Sequence, residues 1–157
     1  MKIAFWYIGK STPSYIQEGV KDFEKRLTYY VNYESLCFPL IKNAAKLPID
    51  ELKRKEADMI LGKLQGSDYL IVLDEHGKSY RSLDFAKYIE KLPMMHSGRI
   101  IFLIGGAFGL DERLLNASKH KLALGPATFS HQLIRVMFLE QLYRACTINK
   151  GQKYHNE

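Results

Sequence analysis

Three short segments pair glycine with polar or aromatic residues directly after apolar runs: Leu73-Asp-Glu-His-Gly-Lys78, Ile104-Gly-Gly-Ala-Phe-Gly109 and Leu124-Gly-Pro-Ala-Thr-Phe129. If the apolar runs are strands of an open α/β sheet, these are carboxyl ends, where such sheets bind ligands. Glycine there lets backbone approach a ligand closely, because no Cβ stands in the way. The middle segment fits neither common nucleotide template. A G-x-G-x-x-G loop would need glycine at 107 and 110, which are Ala107 and Leu110, and the Lys-Ser/Thr of a P-loop is absent. On its own the loop reads first as a tight strand-to-helix turn and second as a ligand loop.

The histidines divide in the same way. His76, His96 and His120 fall in turns or at helix ends and read as solvated loop residues, while His131 opens the last helix, where it caps or packs. His155 differs, because it closes a tail, Lys150-Gly-Gln-Lys-Tyr-His155, that holds two lysines and an aromatic. Unaided, that tail divides evenly between a frayed terminus and a functional one. Between Lys42 and Lys63, six basic and four acidic residues mix, the pattern of one solvated helix face. Neither G-x-S-x-G nor H-E-x-x-H occurs, so serine-hydrolase and zincin chemistry have no support.

The elements that must position these residues alternate. Lys2–Ile8 is an apolar strand; Thr12-Pro13 supplies an N-cap and first helical residue; Ile16, Val20, Phe23, Leu27 and Tyr30 form one helical stripe. A strand follows over 33–38, a loop over 41–48, and a charged helix over 50–64. The third strand is 69–73, closed by a turn at 74–77. A helix capped by Ser82 ends at Pro93, and a strand spans 99–104. A short helix over 111–119, a strand over 121–124 and a last helix over about 130–147 complete the chain. In His131–Thr147, ten of 17 residues are apolar or aromatic. A helix apolar nearly all round is buried on two sides, and in so small a domain the second side points to another subunit. The alternation predicts an α/β fold with a mostly parallel sheet and helices on both faces.

At 157 residues the chain is one domain with a sizeable core. Its 25% charged residues exclude a wholly disordered chain. Cys37 and Cys146 are isolated, which argues against a zinc module and fits a reducing cytoplasm. No segment has the pattern of a signal peptide or a membrane span. The net charge of +6 favours a polyanion partner, RNA first.

Taken together, Leu73-Asp-x-x-Gly77-Lys78, Phe102-Leu-Ile-Gly-Gly-x-x-Gly-Leu110, Thr128-Phe-Ser-His131, Leu133-x-Arg135-Val136, Glu140-Gln-Leu-Tyr-Arg-Ala145 and Tyr154-His155 resemble the ribosomal RNA large subunit methyltransferase H family, of the SPOUT class. The match runs nearly the whole chain. The resemblance implies a trefoil-knotted single domain over 1–157 with a functional tail at about 148–157, a cytoplasmic homodimer, and S-adenosylmethionine as methyl donor without a metal. It implies methylation of N3 of a pseudouridine in 23S rRNA on the assembled ribosome. By position, the donor contacts fall on Leu73, Gly105, Leu124, Gly125, Pro126, Ala127, Thr128 and Phe129. The catalytic pair falls on His155, as base or stabiliser of the developing anion, and Tyr154, which shapes the base pocket. Arg135, Glu140 and Arg144 are expected to hold the dimer and tail. The sequence departs from the family at Gly125-Pro126, where a serine and a non-proline residue are common; Pro126 has no N–H to donate. It departs again at Asn156, where the family often has a cation. Two other classes stay open: a non-catalytic ribosome-associated RNA-binding protein, and a small-molecule enzyme using a nucleotide cofactor.

Overall fold

Five strands form one sheet in a computed structural model that describes residues 1–156; Glu157, the last residue of the expected domain and tail, lies outside them. The strands are β1 (Lys2–Ile8), β2 (Asn32–Phe38), β3 (Tyr69–Ser79), β4 (Ile100–Ile104) and β5 (His120–Ala123). Their order is β2-β1-β4-β3-β5, and every pairing is parallel. All carboxyl ends therefore lie along one edge of the sheet.

Alternation along the strands divides the core. Ile3, Phe5, Ile71, Ile100, Phe102 and Ile104 face one layer, made of α1 (Ser14–Leu27), α3 (Ser82–Met95) and α5 (Leu133–Asn149). Ala4, Trp6, Ile8, Leu70, Val72, Ile101 and Leu103 face the other, made of α2 (Ile49–Leu61) and α4 (Glu112–Ala117). Strands buried on both faces are apolar at successive positions, as β4 is throughout.

Several sequence expectations shift, each for a local reason. The turn expected to close the third strand is an excursion within β3. Leu73 and Lys78 both align with Leu122, so residues 74–77 bulge out and the strand resumes. Asp74 Oδ1 accepts from His76 N at 2.7 Å inside the bulge. Gly77 returns so close to β5 that a Cβ there would stand 2.6 Å from the Lys121 carbonyl carbon. In α3, Pro93 lies inside the helix, which continues to Met95. Pro93 is exposed and in the last turn, so only one backbone bond is lost and water can take the freed carbonyl. The α1 boundary moves by one: Pro13 is the capping residue and Ser14 the first helical one.

The last helix is buried largely by its own chain. α5 packs between α1 and α3 on the sheet, so much of its apolar circumference is covered within the chain, while Leu133 stays exposed and Met137 half-buried. Phe138, Leu139, Leu142 and Ala145 are buried, while Ile134, Val136, Tyr143 and Ile148 pack against the same cluster. The side of α5 that carries Leu133 and Met137 is left uncovered by α1 and α3.

Candidate active site

The β3 bulge, the loop after β4 and the loop after β5 converge on one cavity of about 520 Å³, within the usual range for ligand pockets of ~300–1,000 Å³. Leu73, Gly105, Leu124, Gly125, Ala127, Thr128 and Phe129 all line it. Pro126 is the exception among the eight expected donor contacts: it is exposed and takes no part in the wall. Gly125 has φ +134°, a conformation that L side chains rarely adopt.

Lys53, Glu75, His76, Phe108 and His131 complete much of the lining. Sequence reasoning set Lys53 on a solvated helix face and His76 in a solvated loop. The β3 bulge carries Glu75 and His76 to the cavity, and only the pairing of β3 with β5 could have revealed it. Thr128 Oγ1 donates to Glu75 Oε2 at 2.6 Å, tying the loop after β5 to the bulge. Burial, with Arg135 second, lowers the His131 pKa and favours its neutral ring.

Arg135 fixes the floor of this region. It is fully buried, and its guanidinium donates to the carbonyls of Ile8 and Gly9 at 2.8 Å each and to that of His131 at 3.1 Å. The Tyr7 ring covers it, 4.5 Å from ring centre to guanidinium carbon. Burial lowers its pKa, yet an arginine keeps its charge.

The expected catalytic pair is elsewhere on the same chain: neither Tyr154 nor His155 lines the cavity. Tyr154 donates to Glu140 Oε1 at 3.0 Å and meets the Tyr143 ring edge-on at 4.8 Å. Arg144 holds Glu140 through Nε at 3.1 Å and Nη2 at 2.5 Å, and lies 4.7 Å over the Tyr154 ring. Burial and the Glu140 hydrogen bond raise the Tyr154 pKa. Arg144 Nη1 meets His155 Nδ1 at 3.2 Å. Arginine has only donors, so Nδ1 accepts and the ring proton of a neutral His155 is on Nε2. Glu140 and Arg144 do hold the tail, as expected, whereas Arg135 serves β1.

Among the described residues no three His, Cys, Asp or Glu cluster as metal ligands, and no helix is long and apolar enough to cross a membrane. Cys146 is buried, which pushes its thiol up to about 11.

The fold is shared by solved methyltransferases. The tRNA (m1G37) methyltransferase from Aquifex aeolicus superposes with a TM-score of 0.56 at 16% identity, over 92% of this chain and 70% of that one. A probable methyltransferase from Bordetella pertussis Tohama I gives 0.54 at 13% identity, over 92% and 93%. These agree with the α/β fold described above. A family model described as "Predicted SPOUT methyltransferase" matches residues 1–155, and the chain belongs to that family of methyltransferases. Its relatives include the ribosomal RNA large subunit methyltransferase H of Cytophaga hutchinsonii, 46% identical over 99% of this chain and 100% of that protein. The protein of the same name from Parabacteroides distasonis is 41% identical over the full length of both.

Proposed function

We propose that the chain transfers a methyl group from S-adenosylmethionine to N3 of a pseudouridine in 23S rRNA, on the assembled ribosome, as a cytoplasmic homodimer. One observation carries this reading: residues 73, 105, 124, 125 and 127–129 meet at a single cavity in a chain matched end to end by rRNA large subunit methyltransferases H.

The cavity fits the donor chemically. Ile104, Leu122, Leu124 and Phe129 offer apolar walls for a purine. Lys53 offers a cation to a carboxylate, and the backbone of Gly105, Gly106 and Gly109 leaves room for an amino-acid moiety. S-adenosylmethionine supplies a methyl group already activated on sulfonium. The protein's work is then to align that carbon with the nucleophile and handle one proton, and positioning supplies much of the rate. His155 acts as base or stabilises the charge that develops as a uracil-type N3 loses its proton, and Tyr154 bounds the base. Because both are remote from their own chain's cavity, we assign them to the cavity of a second copy. The net charge of +6 meets rRNA phosphates.

The test uses purified protein, labelled S-adenosylmethionine, and ribosomes or free rRNA from cells lacking the gene. Label should enter assembled ribosomes and decline steeply with salt. Donor binding without transfer to any RNA would return the chain to the binding-protein reading, and salt-insensitive turnover of a small molecule to the other.

A further inference from the structure

Of the ten charged residues between Lys42 and Lys63, only Glu56 is buried, at 6% exposed. It lies on α2 beside Ala57 in sequence, and Ala57 and Ile60 belong to the apolar cluster beneath the sheet. Its carboxylate rests against the glycine loop: a Cβ on Gly106 would stand 2.8 Å from Oε2 and 3.5 Å from Cδ and Oε1. Gly106 lines the cavity and Glu56 does not. The carboxylate is therefore one backbone thickness behind the wall. Nothing in the transfer chemistry above uses it. Burying a carboxylate costs several kcal/mol in general, so packing alone is a poor reason for it; glutamine or methionine would fill the space.

The geometry points to Glu56 as a specificity-determining residue, an anion behind Gly106 that favours the cationic sulfonium donor over the neutral thioether product. This rests on the donor reading proposed above. S-adenosylmethionine and S-adenosylhomocysteine share the adenosine, the α-amino group and the α-carboxylate; they differ by one methyl and one positive charge. A fixed anion acts on that difference, and more strongly in a desolvated wall than in water. It also offsets Lys53, which lines the same cavity one helical turn earlier and repels the sulfonium. Burial raises the Glu56 carboxyl above its ordinary value, and Lys53 offsets part of that rise. The consequence is a site that releases its product more readily than its substrate.

Calorimetry tests this with both ligands and with sinefungin, whose amine puts a positive charge where the sulfonium stands. Glu56→Gln keeps the shape and removes the charge. It should weaken S-adenosylmethionine and sinefungin by about tenfold, equivalent to about 1.4 kcal/mol, and leave S-adenosylhomocysteine within about twofold. Glu56→Asp keeps the charge, so it should keep the parental preference even where all affinities fall, and it decides the matter should Glu56→Gln fail to fold. Equal losses for donor and product in Glu56→Gln, or no loss, would overturn the inference and leave Glu56 a packing residue. So would a loss of preference in Glu56→Asp. A parent chain that binds neither ligand overturns the donor reading itself, and this inference with it, before any variant is made.

Discussion

Arg135 holds the carbonyl of Ile8 at 2.8 Å across 127 residues of sequence, joining the start of α5 to the end of β1. The next carbonyl, Gly9, is held at 2.8 Å by the other terminal nitrogen. A strand's last carbonyls have no ladder partner, and left buried each costs ~1–3 kcal/mol. Here one guanidinium satisfies two of them. Gln132 reinforces the junction by donating to the Lys10 carbonyl at 3.2 Å and accepting from Thr12 N at 3.3 Å. Arg135→Ala should lower unfolding free energy by about 3 kcal/mol, because unpaired carbonyls and a cavity remain. Arg135→Lys should recover less than half of that, since a point ammonium cannot reproduce the fork. Urea unfolding of the three proteins checks both.

Gly77 makes a second prediction, independent of chemistry. A Cβ there meets Lys121 carbonyl carbon at 2.6 Å and Leu122 N at 2.7 Å, both backbone atoms that cannot rotate aside. Gly77→Ala should push β5 from β3 and cost ~1–3 kcal/mol, the range for overpacking. The displaced bulge also carries Glu75, so the Thr128 contact and donor affinity should fall with it. Alanine at Gly109, where φ is +83° but nothing lies within 4 Å, is the comparison. Its effect should be strain alone, and a melting curve of each variant separates the two cases.

The third prediction concerns acid. Arg99 grips Asp68 in a fork, Nε to Oδ1 at 3.0 Å and Nη2 to Oδ2 at 2.8 Å. Burial alone would raise the Asp68 carboxyl, but the hydrogen bonds from Arg99 and from Gln65 N outweigh it, and the carboxyl lies below its ordinary value. A depressed folded pKa contributes stability that is complete above the unfolded value of about 3.9 and is lost as pH falls through the folded one. Asp68→Asn should therefore be less stable than the parent by about 2 kcal/mol at neutral pH, the pair being partly exposed on the Arg99 side. The gap should shrink from about pH 4 downward. A gap unchanged across that range would show that the ion pair is not its cause.

Local patterning carried the sheet. β1 and β4 fall within a residue of their expected bounds because strands buried on both faces are apolar at every position, whatever their neighbours. The seven cavity-lining residues expected to meet the donor were legible because strand ends, glycines and the family pattern coincide. What failed to show was long-range pairing. Residues 74–77 have turn composition, and only the return of Lys78 to Leu122 makes them a bulge. The charge run over 42–63 has solvated composition, yet the pitch of α2 buries Glu56 and sets Lys53 in the cavity wall. The all-round apolar pattern of α5 did not reveal that α1 and α3 flank it and take up most of its apolar surface. In each case composition gave the local preference and the tertiary neighbour decided its use.

Tail placement yields the last prediction. Tyr154 and His155 are docked on Glu140 and Arg144 of α5, away from the cavity of their own chain. If they complete a partner's site, removing residues 152–157 should abolish methyl transfer while donor affinity stays near the parental value. Gly105→Val supplies the complementary defect. Even its Cβ would stand 2.8 Å from Leu110 Cδ2 and 3.2 Å from the Gly109 carbonyl carbon, so the glycine loop must move and the donor site is lost. Neither variant should be active as a homodimer. Mixed under conditions that exchange subunits, the tail-less chain brings an intact cavity and the Gly105→Val chain an intact tail, so one of the two sites in each mixed dimer works. Random pairing makes about half the dimers mixed, hence about a quarter of parental activity. A tail that serves its own cavity gives no recovery, because each chain then lacks half of its site. Exchange verified by a mass tag, with activity still absent, rules out the shared arrangement.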